Sequence, residues 1–139
     1  MDDKLLYSLP VIIAGVVSIV FAAWLAKDVL SRDQGTKGMQ DISNRIFEGA
    51  SAYLSRQYRT IFSLAIVVAI VIGVLVTIFE DHDATERGII TAIAFLIGAA
   101  LSGLSGYIGM YVAVKSNVRT AAAAQKGIGE ALVVALRGG

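Results

Sequence analysis

Few residues in this chain could do chemistry, and each has a bland reading beside the sharp one. Asp81, His82 and Asp83 stand side by side, an imidazole between two carboxylates with the right atom types for a cation. Ligands adjacent in sequence splay to different sides of the chain and give no convergent coordination sphere, so the trio reads as a solvated loop and no metal site is placed there. Lys115, Arg119, Lys126 and Arg137 could meet a phosphate. The same placement after a long apolar run is what a topology signal beside a headgroup layer requires, and that reading is preferred. Ser102, Ser105 and Tyr107 could line a polar path, but hydroxyls in apolar helices more often bond within their own helix or across a helix contact.

Other chemistries lack their parts. There is no phosphate loop of the GxxxxGK[ST] type, no nucleophile with a partnered base and no carboxylate cluster to hold Mg²⁺. Zero cysteines remove disulfides, thiolate metal sites and cysteine nucleophiles, and a net charge of +1 gives no global field for nucleic acid. The expectation is therefore no catalytic, metal or cofactor-binding residue in this chain.

The elements behind these residues are set by apolar runs. At 56% hydrophobic, 17% charged and a mean hydropathy of +0.72, the chain suits a bilayer better than water. Three uncharged runs, Leu5 to Ala26, Thr60 to Phe79 and Gly88 to Val114, are long enough as helices to cross a hydrocarbon core of about 30 Å, which takes about 20 residues. A fourth, Ala131 to Leu136, is too short. None of the three holds Asp, Glu, Lys, Arg or His, so these helices alone are expected not to conduct protons or Na⁺. Acidic Asp2 and Asp3 before the first run, and the length of that run, argue for a retained span over a signal peptide.

Lys and Arg sit asymmetrically about the runs. Lys27, Arg32, Lys37, Arg45, Arg56 and Arg59 lie between the first two, and Lys115, Arg119, Lys126 and Arg137 follow the third. The loop between the second and third has Arg87 against Glu80, Asp81, Asp83 and Glu86. The positive-inside rule puts the N-terminus and this acidic hairpin outside and the basic segments in the cytoplasm, with Tyr7 and Trp24 at opposite interfaces of the first run.

Ser31 to Gly38 reads as a turn. From Met39 on, Met39, Ile42, Ile46, Ala50 and Tyr53 recur at spacings of three and four, with Asp41 and Arg45 an i,i+4 pair on another face. One helix is predicted from about 39 to 79, its first half projecting into the cytoplasm; an interfacial helix kinked at Arg59 is the alternative. Asp83 and Glu86 resemble a capping box opening the next helix. Gly98, Ser102 and Gly106 form a small-residue ridge, flanked by Ala99, Gly103 and Gly109, and Ala14, Ser18 and Ala22 form a matching one. These six ridge residues are the candidate helix-packing sites. Residues 128–139 begin a fourth helix that stops unfinished, as in a truncated polypeptide.

Three segments carry a family likeness: EGASAYLSRQYRTI (Glu48 to Ile61), LSGLSGYIGMYVAVKSNVRTAAAA (Leu101 to Ala124) and GEALVVALRGG (Gly129 to Gly139). In order and spacing they resemble the N-terminal region of membrane-bound, ion-pumping inorganic pyrophosphatases. The resemblance implies a much larger protein of many transmembrane helices, usually a homodimer, hydrolysing Mg²⁺-bound pyrophosphate on the cytoplasmic side and pumping H⁺, Na⁺ or both outward, in some members with K⁺. It implies that catalytic aspartates and lysines lie in later, inner-ring helices, in motifs of the DVGADLVGK kind, none of which occurs here.

The expectation is thus an all-α integral membrane protein of the cell (inner) membrane. Its single N-terminal region has three transmembrane helices plus the start of a fourth, from the outer ring of a pyrophosphate-energised H⁺ or Na⁺ pump. Its partners would be the lipid bilayer and the remaining helices of the parent, with pyrophosphate as the parent's substrate. The fragment alone should be inactive. The rival from another class is a small complete membrane scaffold or assembly subunit; a proteolipid rotor subunit would need a carboxylate inside a span, and there is none.

Overall fold

The computed structural model of the chain describes residues 3–80 and 83–139, so Asp81 and His82, and with them the acidic trio, lie outside the described residues, as does the side chain of Tyr7. The described residues form four helices and no strand: α1 (Asp3–Leu30), α2 (Lys37–Phe79), α3 (Ala84–Ala124) and α4 (Ile128–Gly138). The fold is all-α, with α1, α2 and α3 each long and apolar enough to cross a membrane and α4 shorter.

Each boundary has a local cause. Past the end of α1, Gly35 adopts φ 72, and its N–H donates to Asp33 Oδ1 at 3.0 Å. Thr36 then caps α2, its Oγ1 accepting from Met39 N at 3.4 Å, while Gln40 Nε2 donates to the Gly35 carbonyl at 3.0 Å. No proline interrupts α2 and no charge its apolar run 60–79, and the helix continues for 43 residues, about 65 Å. The turn into α3 is closed by an ion pair between Arg87 and Glu80, and Arg87 N donates to the Asp83 carbonyl at 3.0 Å. The last turn of α3 tightens into a bond from Lys126 N to the Ala123 carbonyl at 2.9 Å before Gly127 admits α4.

The described residues fall into two compact units. One comprises residues up to 45 together with 112–139: α1, the start of α2, the end of α3 and α4. Its core is Val29, Val118, Ala122 and Val134, with Ser43, Ser116 and Arg119 buried among them. The other, residues 46–111, is the paired middle of α2 and α3.

In this second unit the helices approach through glycines. A Cβ built on Gly88 would lie 2.6 Å from the Gly73 carbonyl oxygen, and one on Gly73 would lie 3.2 Å from that of Gly88. Thr77 Oγ1 donates to the Gly73 carbonyl at 2.9 Å and lies 3.3 Å from that of Ala84, tying α2 to the first turn of α3. Ala69, 2% exposed, completes a ridge Ala69, Gly73, Thr77 that faces Gly88 and Ala92 across a shallow apolar crevice. Further along, Tyr58 Oη donates to the Gly103 carbonyl at 2.8 Å, and Phe47 packs edge-on against Tyr111, ring centroids 5.6 Å apart.

The amphipathic half of α2 turns inward only part of the face its aliphatic spacing indicates. Ile42, Ile46 and Tyr53 are exposed at 62%, 51% and 65%. Met39 and Ala50 of that spacing are half-buried, as are Phe47, Leu54 and Tyr58, the last of which finds a backbone acceptor on α3 while Phe47 meets an aromatic edge there. Among the described residues Asp41 and Arg45 do not close an ion pair.

Candidate functional site

The polar chemistry of the first unit gathers where α1 ends. Trp24 and Asp28 lie four residues apart on one face of its last turns, and Arg32 follows just past its end. Asp28 Oδ2 accepts from Arg32 Nη2 at 3.0 Å and from Arg137 Nη1 of α4 at 2.8 Å. The Arg137 guanidinium also lies 5.8 Å from the Trp24 ring centroid, within reach of a cation–π attraction.

A buried cation completes the cluster. Arg119, 5% exposed on α3, donates from Nη2 to the Leu30 carbonyl at 2.8 Å and from Nη1 to the Lys115 carbonyl at 2.5 Å. Leu30 closes α1, so the guanidinium meets the partial negative charge that accumulates on the last carbonyls of a helix. Behind it Ser116, whose hydroxyl donates to the Ala113 carbonyl at 2.8 Å, sits against Gly138: a Cβ built there would lie 2.5 Å from that of Ser116. Close packing of α4 on α3 therefore requires glycine at this position.

Of the four cations that could have met a phosphate, three turn to partners within the chain. Arg119 serves backbone carbonyls and Arg137 serves Asp28. Lys115 Nζ donates to Asn44 Oδ1 at 3.3 Å, and Lys126 is exposed at the end of α3. Among the described residues no group of three or more His, Cys, Asp or Glu is placed to hold a metal ion. The arrangement can clamp three helices, α1, α3 and α4.

The packing candidates are placed as follows. Ala14, Ser18 and Ala22 are exposed, and Ser18 Oγ donates within its own helix to the Ala14 carbonyl at 2.8 Å. Gly98 and Ser102 are exposed, and nothing lies within 4 Å of a Cβ built on Gly98. Gly106 is the ridge member beside a helix contact, 2.9 Å separating its built Cβ from Tyr58 Oη. The ridge in use within the chain, Ala69, Gly73 and Thr77 against Gly88 and Ala92, carries the same four-residue signal but was missed in the sequence, where that spacing recurs on several faces. Asp28 with Arg32 had an i,i+4 signal; the reach of Arg119 to Leu30 had none.

Similarity to known proteins is strong over the same helices. The profile described as inorganic H⁺ pyrophosphatase matches residues 16–139. The chain belongs to this family. It is 44% identical to the K⁺-insensitive pyrophosphate-energized proton pump of Methanosarcina mazei, over 99% of this chain and 19% of that protein. Proton pump 2 of Moorella thermoacetica, also named K⁺-insensitive, is 46% identical over 94% of this chain and 18% of its own length. The pyrophosphate-energized membrane proton pump 3 of Arabidopsis thaliana is 38% identical over 93% of this chain and 17% of its own. The chain thus spans about a fifth of the length of the curated relatives it matches. No solved structure matches it. Family membership and the three span-length helices make it an integral membrane protein.

Proposed function

We propose that this chain builds helical scaffold for a longer protein that hydrolyses Mg²⁺-bound pyrophosphate and uses the energy to export a cation from the cell. The observation that carries this reading is the identity of 44% to a pyrophosphate-energized pump, sustained over 99% of the chain. The cation is H⁺, by the names of the relatives, and turnover needs no K⁺, by the names of those from Methanosarcina and Moorella. Mg²⁺, pyrophosphate and the ion gate are handled by residues outside these helices, in keeping with spans that hold no Asp, Glu, Lys, Arg or His between 60 and 79 or 88 and 114. What these residues contribute is position: glycine contact between α2 and α3, and the clamp that joins α1, α3 and α4.

In this reading the parent is a homodimer in the inner membrane, with the N-terminus and the acidic hairpin outside and the basic segments in the cytoplasm. The remaining helices of the parent cover the ridges of Gly98 and Ser102 and of Ala14, Ser18 and Ala22. The test is direct. Inverted vesicles holding the full-length protein should release orthophosphate from Mg-pyrophosphate and acidify their interior, without stimulation by K⁺ and with collapse of the gradient by a protonophore. Residues 1–139 alone should release none above a buffer control. Turnover by those residues overturns the scaffold role, and Na⁺-dependent transport reassigns the cation.

A further inference from the structure

The arginines of this chain divide by what they touch. Arg32 and Arg137 pair with Asp28, Arg87 pairs with Glu80, and Arg119 is buried against two backbone carbonyls. Arg56 and Arg59 differ from these. Both are exposed, and neither forms an ion pair among the described residues. Their helix holds no acidic residue between Glu48 and Glu80. Arg45 is exposed as well, but Asp41 lies one turn before it.

Depth and direction distinguish the pair further. Arg59 immediately precedes the uncharged run 60–79, which at about 1.5 Å per residue matches the hydrocarbon thickness of about 30 Å, so its guanidinium lies at a headgroup layer. Arg56 lies one turn further out, about 5–6 Å away between Cβ atoms. Tyr58 marks the face of α2 turned to α3 by its bond to Gly103. At about 100° per residue, Arg56 lies about 200° and Arg59 about 100° round from it. Below them on the outer sector run Val67, Ile70 and Val74, 55%, 61% and 51% exposed, while the ring of Tyr53, 65% exposed, stands one turn above Arg56.

We propose that Arg56 and Arg59 seat the phosphate of an anionic phospholipid whose acyl chain lies along Val67, Ile70 and Val74. Guanidinium forks match the oxygens of a phosphate, and two of them with no carboxylate nearby favour a headgroup without a compensating ammonium. A soluble anion would have no use for the apolar ridge that continues from the charges into the hydrocarbon. The inference rests on the membrane placement of α2 and not on the pumping reading, so it can fail or stand independently of turnover.

The test is native mass spectrometry of the delipidated full-length protein, titrated with dioleoyl phosphatidylglycerol and, separately, with dioleoyl phosphatidylcholine. The phosphatidylglycerol adduct should be the tighter. Arg56→Gln or Arg59→Gln alone should weaken it about fivefold and the double variant about thirtyfold, with phosphatidylcholine binding and Arg45→Gln unchanged. The single variants decide the matter if the double variant does not fold. Phosphatidylglycerol affinity that ignores both substitutions overturns the proposal. So does displacement of the lipid by inorganic orthophosphate, or a cross-link from Arg56→Cys to another helix of the same protein.

Discussion

Arg119 shows how much can depend on one side chain in a molecule with so small an interior. It is 5% exposed, and its bonds to the Leu30 and Lys115 carbonyls hold the end of α1 against α3. Removing a charged donor from a buried carbonyl costs about 1.5–3 kcal/mol, since the acceptor is left without water or partner. Arg119→Gln should therefore lower the unfolding free energy of the detergent-solubilised protein by that amount. Asp28→Asn should cost less than Arg119→Gln, because Asp28 and its arginines are about a third exposed, at 29%, 33% and 38%, and solvent screens their pairing. Thermal or denaturant unfolding of the two variants side by side checks the order, and an equal effect would deny Arg119 its clamping role.

Glycines set the contact between α2 and α3, and the two small-residue ridges of α3 make opposite predictions. A methyl at Gly88 would meet the Gly73 carbonyl oxygen at 2.6 Å, so Gly88→Ala forces backbone apart and should destabilise the helix pair by about 1–3 kcal/mol. At Gly98 nothing lies within 4 Å, and Gly98→Ala should cost nothing in the 139-residue chain, read by the same unfolding measurement. In the full-length protein the Gly98 change should become costly, because the parent's remaining helices are proposed to seat there. If it is silent there too, the ridge faces lipid. Spacing points to the ridge of Gly98, Ser102 and Gly106 and does not single out Gly88, whose contact depends on how α2 and α3 pack.

Topology is a property of the whole molecule, carried by charges too far apart to touch. The chain has no cysteine, so single substitutions report their own side of the membrane. Asp33→Cys and Asp83→Cys occupy exposed positions on opposite sides of α2's apolar run. A membrane-impermeant maleimide should reach Asp33→Cys only from the cytoplasm and Asp83→Cys only from outside; labelling of both from one face would refute the proposed orientation.

By itself the sequence determined what is local: that the chain is helical, that three helices can cross a bilayer and where their apolar runs lie, and which family it joins. Uncharged length, turn residues such as Gly35 and Thr36, and the three family segments are all readable without knowing a neighbour. Tertiary structure decided the rest. Several faces of α2 and α3 are equally eligible by periodicity, and only the mutual rotation and shift of the two helices selects Phe47 and Tyr58 over Ile42 and Ile46, and Gly88 over Gly98. The clamp at the end of α1 joins residues 89 and 109 positions apart, Leu30 to Arg119 and Asp28 to Arg137. No spacing rule reaches across such a separation, because the geometry that creates those bonds exists only once the helices have packed.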